Sequence, residues 1–97
     1  MRLDMSPEND DLWGGCRRSS FAGKPNVETE PTEAIRILRR NLVVIFSEVH
    51  DRREIILGGA MAAWAYLVVF DVASKIFGSV YYSNKYGKLV LITQRDH

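Results

Sequence analysis

A long apolar run occupies the middle of the chain. Residues 55–70 contain no charged residue, and apolar side chains occur on every side of the helix that this run predicts. At 1.5 Å per residue this helix is about 24 Å long, and continuation to Ser74 gives about 30 Å, the thickness of a hydrocarbon core. A domain of this size has too little chain to surround such a helix. We therefore expect residues 54–78 to form a transmembrane helix.

A second apolar pattern lies upstream, where large side chains recur every three or four residues. That spacing predicts an amphipathic helix over residues 32–53, which we expect to pack against protein. Pro31 suits the first turn, and Glu30 and Glu33 complement the positive end of the helix dipole. The members of the stripe are Ile35, Leu38, Leu42, Ile45, Phe46 and Val49.

The two ends of the chain show no helical period. Residues 1–31 are rich in Gly, Pro, Ser and acidic residues, which predicts an extended N-terminal tail. Residues 79–97 carry a turn signal at 84–87 between two short apolar runs, which predicts a short C-terminal hairpin or an extended tail. The predicted fold class is therefore mostly α, with a single-span transmembrane helix preceded by an amphipathic helix and flanked by these two segments.

Small residues in the predicted span indicate close contact with neighbouring helices. Gly58 and Gly59 lie four residues before Ala62 and Ala63, so the four residues share one side of the predicted helix. Small residues at this spacing let two helix backbones approach closely in a membrane. The four residues are therefore candidate helix-packing positions.

A pair of opposite charges lies near the C-terminal end of the span. Asp71 and Lys75 are about one helical turn apart, so we expect an ion pair inside the membrane or at its edge. A proton or ion relay at Asp71 needs a second buried titratable group, and the sequence places none at that depth. A structural pair is therefore the preferred interpretation.

Candidate chemistry is sparse elsewhere in the sequence. The net charge of +1 gives no basic field for nucleic-acid binding, and the single cysteine, Cys16, excludes an intramolecular disulfide. His50, Asp51 and Glu54 lie within one turn of one another, but they lack the second pair of ligands that a metal site needs. Phosphate-binding loops and catalytic motifs are absent from the sequence. We therefore expect no enzymatic activity, no cofactor and no metal.

One short motif suggests regulation. Residues 17–21, RRSSF, follow the pattern of basophilic kinase substrates, with Ser20 as the acceptor. A phosphate there adds nearly two negative charges to a flexible segment. Such pentapeptides are frequent by chance, so Ser20 is a phosphorylation hypothesis only.

The order of these segments resembles that of the small accessory subunits of mitochondrial respiratory complexes and the ATP synthase, although no sequence motif is shared. The resemblance implies a non-catalytic, single-span subunit in the lipid bilayer of the mitochondrial inner membrane, where contacts with other membrane subunits support assembly of the respiratory chain. Two alternatives stay open. One is a phospho-regulated micro-protein that binds a membrane pump or channel, and the other is a soluble α+β adaptor domain in which residues 55–77 form a buried helix against the C-terminal hairpin.

Overall fold

The computed structural model describes residues 1–95 and shows a small α+β fold. Strands β1, β4, β5 and β6 form a mixed sheet in that order, and β2 and β3 form a separate hairpin. The elements in chain order are β1 (Arg2–Asp4), α1 (Asp10–Trp13), β2 (Arg18–Phe21), β3 (Lys24–Val27), α2 (Pro31–Ser47), β4 (Glu54–Gly58), α3 (Ala63–Ala73), β5 (Ser79–Ser83) and β6 (Leu89–Gln94). Asp96 and His97, the end of the predicted segment 79–97, lie outside the described residues.

Two helices cover one face of the sheet. Strands β1, β4 and β5 are parallel, and β6 returns antiparallel to β5. The three parallel strands lie in the sheet in the order in which they occur in the chain, β1, β4 and β5. Because crossover connections between parallel strands are right-handed, this order places α2 and α3 on the same face of the sheet. The core lies between these helices and the strand residues that face them, which are Leu3, Ile55, Leu57 and Val80.

The prediction of a transmembrane helix over residues 54–78 is wrong. Its first part is strand β4, a loop follows, and helix α3 covers only Ala63–Ala73. Within residues 1–95, no helix is both long enough and apolar enough to cross a membrane. The mostly α fold class and the assignment to the mitochondrial inner membrane are therefore wrong as well, and the accessory-subunit hypothesis loses the span on which it depended.

The apolar run has a different physical origin. Strand β4 lies between β1 and β5 and buries Ile55 and Leu57 beneath the helices, whereas Ile56 lies on the opposite face and is half-buried. A strand inside a parallel sheet is buried on both faces, so its sequence is a continuous run of apolar residues. The first turns of a buried helix have the same sequence pattern. Gly59 then separates strand from helix, because its φ of 114° is not helical.

The expected extended tail over residues 1–31 is also wrong. Met5, Leu12 and Trp13 are fully buried, and Trp13 Nε1 donates a hydrogen bond to the Met5 carbonyl oxygen at 3.1 Å. The Trp13 ring packs edge-to-face against Trp64 of α3, with 5.9 Å between ring centroids. A few large side chains therefore fix a polar, glycine-containing segment to the core.

Helix α2 begins where the sequence predicts and ends earlier. The side chain of Glu30 accepts hydrogen bonds from the backbone N–H groups of Thr32 and Glu33, and Pro31 occupies the first helical position. The helix ends at Ser47, and the Arg52 guanidinium donates to the carbonyls of Phe46 and Val49. These bonds hold the loop after α2 against the last turn of the helix.

The contact between α2 and the connection from α3 to β5 provides a test of the core. Phe46 is 2% exposed and packs edge-to-face against Phe77, with 5.3 Å between ring centroids. We expect Phe46→Ala to lower the free energy of unfolding by about 3–5 kcal/mol in urea titrations, since the core cannot fill the cavity. The matched control is Val43→Ala on the same helix, where the side chain is 69% exposed. Its expected effect is within about 0.5 kcal/mol, and comparable losses in both variants would contradict this packing.

Candidate functional site

Strand β6 is an unusual edge strand. In the described sheet it pairs with β5 on one side and with no strand on the other. Its side chains Leu89, Val90, Leu91 and Ile92 are between 42% and 49% exposed. Natural edge strands normally carry charges, proline or a cover that prevents pairing with another chain. An apolar edge of this length is therefore a candidate binding surface.

The apolar side chains of β6 occupy both faces of the sheet. Val90 pairs with Tyr82, which in turn pairs with Leu57 on the face covered by the helices. Leu91 pairs with Tyr81 on the opposite face. Because neighbours in register lie on the same face, the edge presents apolar groups above and below its backbone.

A β-bulge brings Ile92 to the helix side. Tyr81 pairs with Leu91 and Val80 pairs with Thr93, so Ile92 is the extra residue between these two pairs. A bulge bends its strand and redirects side chains. Ile92 consequently lines a groove between β6 and α3.

This groove is apolar and open to solvent. Its volume is about 550 Å³, within the range of ligand pockets, and its walls include Met61, Leu67, Phe70, Tyr82 and Ile92. Leu67 points outward from α3 and is 69% exposed. The groove and the β6 edge therefore form one continuous surface, which we call the β6 surface.

Tyr66 forms part of the groove wall. Its hydroxyl donates a hydrogen bond to the Gly59 carbonyl, and its ring packs edge-to-face against Tyr82 with 5.4 Å between centroids. Burial raises the pKa of Tyr66 to about 12, with a smaller contribution from the nearby Tyr82 and Asp4. The hydroxyl therefore stays protonated at neutral pH and serves as a fixed donor.

Three basic residues lie at the ends of β6. The C-terminal segment 79–97 contains Lys85, Lys88 and Arg95 and one acidic residue, Asp96, directly after Arg95. The Lys85 ammonium lies 5.1 Å from the centre of the Tyr86 ring. Arg95 donates through two guanidinium nitrogens to the Ser74 carbonyl, which joins the end of β6 to the end of α3.

The four candidate helix-packing residues do not share a helix face. Gly58 ends β4, Gly59 lies in the following loop, and Ala62 and Ala63 form the cap and first residue of α3. A Cβ at Gly59 would lie 2.6 Å from Asp4 Oδ1, so this glycine permits close approach of the loop to the segment after β1. Here the small residues bring two parts of the same chain together.

Asp71 and Lys75 lie together near the end of α3. Lys75 Nζ is 3.4 Å from Asp71 Oδ1, and Arg39 of α2 places its Nη1 3.3 Å from Oδ2. The charge of Lys75 and the hydrogen bond from Arg39 lower the pKa of Asp71. Arg39 was missed in the sequence, because nothing in the order of residues shows that α2 packs beside α3.

The remaining candidates are separate from the β6 surface. Ser20 is exposed on β2 opposite Pro25, and its phosphorylation stays a prediction. Burial raises the pKa of Cys16, against the smaller opposing effect of a hydrogen bond with Thr29.

Asp51 binds the Arg53 guanidinium at 2.8 Å, which lowers the pKa of this carboxyl to about 2. Within the described range 1–95, no three His, Cys, Asp or Glu side chains are grouped to hold a metal ion.

Comparisons with protein-family models, with curated proteins and with solved structures give no match to this chain.

The β6 surface itself was not singled out in the sequence. Its signal was the run of four large apolar residues at 89–92 that directly follows a turn. A strand at the centre of a sheet carries the same pattern, so the signal does not show that the strand is an edge.

Alanine at Gly59 would meet both backbone strain and a close contact, whereas alanine at Gly87 would meet backbone strain alone. We expect Gly59→Ala to lower the free energy of unfolding more than Gly87→Ala, which has a positive φ of 80° and no atom within 4 Å of a built Cβ. Both variants introduce backbone strain of about 1–3 kcal/mol, and only Gly59→Ala adds a clash. Equal losses in urea titrations would show that the contact with Asp4 relaxes freely.

The contribution of Asp71 should depend on pH. Since the folded pKa of Asp71 is lowered, its stabilising effect is complete above the ordinary carboxyl pKa of about 4 and is lost as pH falls through the lower folded value. We expect Asp71→Asn to unfold at lower urea than wild type at pH 7, with the difference vanishing in strong acid. Glu8→Gln, at an exposed carboxylate, is the control. A difference that persists at low pH would contradict a role for the Asp71 charge.

Proposed function

We propose that this chain is a non-catalytic adaptor, an α+β protein-binding module that takes up an extended segment of a partner protein along β6. The observation that supports the proposal is the apolar, unpaired edge of β6 beside an apolar groove. This extends the adaptor hypothesis from the sequence, with strand addition as the binding mode.

The backbone of β6 supplies the first part of the binding site. The hairpin is closed at one end by Asn84 N–H donating to the Lys88 carbonyl and at the other by Arg95 N–H donating to the Gly78 carbonyl. Between these closures the outer side of β6 offers N–H and C=O groups to an added strand. Strand addition at a sheet edge gains its affinity from such main-chain hydrogen bonds.

The groove supplies the second part. Alternate side chains of an added strand point toward the helix side, where Leu67, Phe70 and Ile92 form apolar walls. Burial of exposed apolar surface stabilises such a complex by roughly 25 cal/mol per Å² before the costs of association. Selectivity for side-chain size then follows from the width of the groove.

The chemistry of the groove favours binding over catalysis. The side chains that line it are aliphatic or aromatic, and its polar side-chain groups are tyrosine hydroxyls. Tyr66 already donates to the Gly59 carbonyl, and its pKa of about 12 makes it a poor general base or acid near neutral pH. Capture of a partner segment needs no titratable group.

A direct test is amide hydrogen exchange with a synthetic peptide in which Val and Thr alternate. We expect the peptide to slow exchange in residues 89–92 and to leave α2 unchanged. Ile92→Lys should weaken peptide binding by about tenfold or more, because it places a charge in the groove. Val43→Lys, at a 69% exposed position of α2, is the matched control. Unchanged exchange in β6, or equal weakening by both variants, would refute the proposal.

A further inference from the structure

We propose that Ser20 on β2 is phosphorylated by a basophilic protein kinase, and that its phosphate then binds the Arg18 guanidinium in competition with Asp10. The site is separate from the β6 surface and does not depend on the adaptor function. Its support is the run of basic residues before Ser20, the exposure of the Ser20 side chain, and the position of Arg18 on the same face of the hairpin.

The β2–β3 hairpin presents its serines outside the core. Ala22 and Gly23 both have positive φ, 51° and 78°, as the two-residue turn of a hairpin requires. Phe21 beside the turn is 80% exposed, and within the described range Val27 is the one strand residue of the hairpin that packs against the core. A two-stranded hairpin is barely stable by itself, so β2 can separate from β3 and enter a kinase active site without disturbing the core.

The two adjacent serines of β2 differ in their surroundings. Ser19 is partly buried, and its hydroxyl donates a hydrogen bond to Glu28 Oε1 at 2.7 Å. Ser20 is exposed, and Arg17, three residues before it, enters none of the ion pairs found among residues 1–95. A kinase that recognises arginine before the acceptor therefore finds Arg17 available and Ser20 accessible.

Phosphorylation of Ser20 takes its phosphoryl group from ATP. A bond forms between Ser20 Oγ and the γ-phosphorus as the bond from that phosphorus to the β–γ bridging oxygen breaks. ADP leaves, and the hydroxyl proton passes to the catalytic base of the kinase. The product carries nearly two negative charges at neutral pH and three strong acceptor oxygens.

Arg18 is the basic group on the face of the hairpin that carries this phosphate. Side chains two residues apart on a strand share a face and lie about 7 Å apart, a distance that a long side chain spans. Ser20 pairs with Pro25 and Arg18 pairs with Val27, so the four strand residues of this face include one charge, that of Arg18.

The other charged groups of the hairpin lie on its opposite face. Lys24 pairs with Phe21, one residue out of step with Ser20. The Arg17 carbonyl accepts a hydrogen bond from Glu28 N–H, which continues the ladder and places these two side chains on the face of Lys24. None of the three groups therefore competes with Arg18 for the phosphate.

In the unmodified chain, Arg18 joins the hairpin to α1. Its Nη1 lies 2.5 Å from Asp10 Oδ1 and donates to the Pro7 carbonyl at 3.1 Å. The Asp10 side chain is 84% exposed, so solvent weakens this ion pair. A phosphate carries about twice the charge of a carboxylate, and arginine binds it through two parallel N–H donors. The phosphate therefore draws Arg18 from Asp10 and loosens the hairpin from α1.

The acceptor is identified by treating the folded chain with ATP and the catalytic subunit of cyclic-AMP-dependent protein kinase, a basophilic enzyme, and locating the phosphate by mass spectrometry. We expect Ser20→Ala to abolish phosphate incorporation, because the acceptor hydroxyl is removed. Ser19→Ala is the matched control and should retain it. Labelling of Ser19 in place of Ser20, or no labelling, would overturn the assignment.

The contact with Arg18 is tested by phosphorus NMR on a full-length chain synthesised with phosphoserine at position 20. We expect the second pKa of the phosphate to lie about half a unit below its value in the Arg18→Gln variant, since a nearby positive charge favours the dianion. Arg17→Gln removes an equal charge from the opposite face and should raise this pKa much less. Equal changes in both variants, or none in either, would show that the phosphate does not bind Arg18.

The competition with Asp10 has its own measurement in urea titrations. In the unmodified chain, the stability losses of Arg18→Gln and Asp10→Asn should be less than additive in the double variant, because both break the same pair. In the phosphoserine chain the two effects should add, since Arg18 no longer pairs with Asp10. Coupling of equal size in both chains would refute the competition. Peptide binding along β6 reports on the adaptor function alone, so its outcome does not decide the role of Ser20.

Discussion

The structure depends on how much of a four-stranded sheet two helices can cover. Helices α2 and α3 bury the inner face of β1, β4 and β5, and the hydrophobic contacts made there form the core. The N-terminal segment adds Trp13 beside Trp64, so the core extends under α2 without a further helix of full length. No helix remains among residues 1–95 to cover β6. The apolar surface at that edge is therefore a direct result of the size of the helical layer.

Charge has two separate roles in this arrangement. Within the fold, Arg39, Asp71 and Lys75 form a surface network between the two large helices. Pairs of this kind contribute modestly because solvent screens them, so the network adjusts helix packing that apolar contacts already determine. In the turn before β6, by contrast, Lys85 and Lys88 enter none of the ion pairs found among residues 1–95. Unpaired charge of one sign affects the choice of partner more than the stability of the fold.

Some local features could be predicted from the sequence, and the tertiary arrangement could not. Glu30 and Pro31 mark the start of α2, and the turn at 84–87 separates β5 from β6, because capping and turn chemistry are local. The run at 55–70 was misread because a buried parallel strand and an apolar helix share one composition. Gly58 and Gly59 were taken as helix-packing residues, whereas Gly58 ends the strand and Gly59 begins the loop after it. The β6 surface depends on which strand lies at the edge. That position is set by long-range pairing, which leaves no signal within the strand itself.

The bond between Arg95 and the carbonyl of Ser74 bears on the binding mode proposed for the β6 edge. This guanidinium connects the last turn of α3 to the end of the hairpin, so β6 cannot swing outward unless that link breaks. An edge that is already immobilised loses little conformational entropy on association, and the loss falls mainly on the incoming segment. In the proposed complex a flexible segment would dock on a rigid strand, so the residence time would depend mainly on the order lost and gained by that segment.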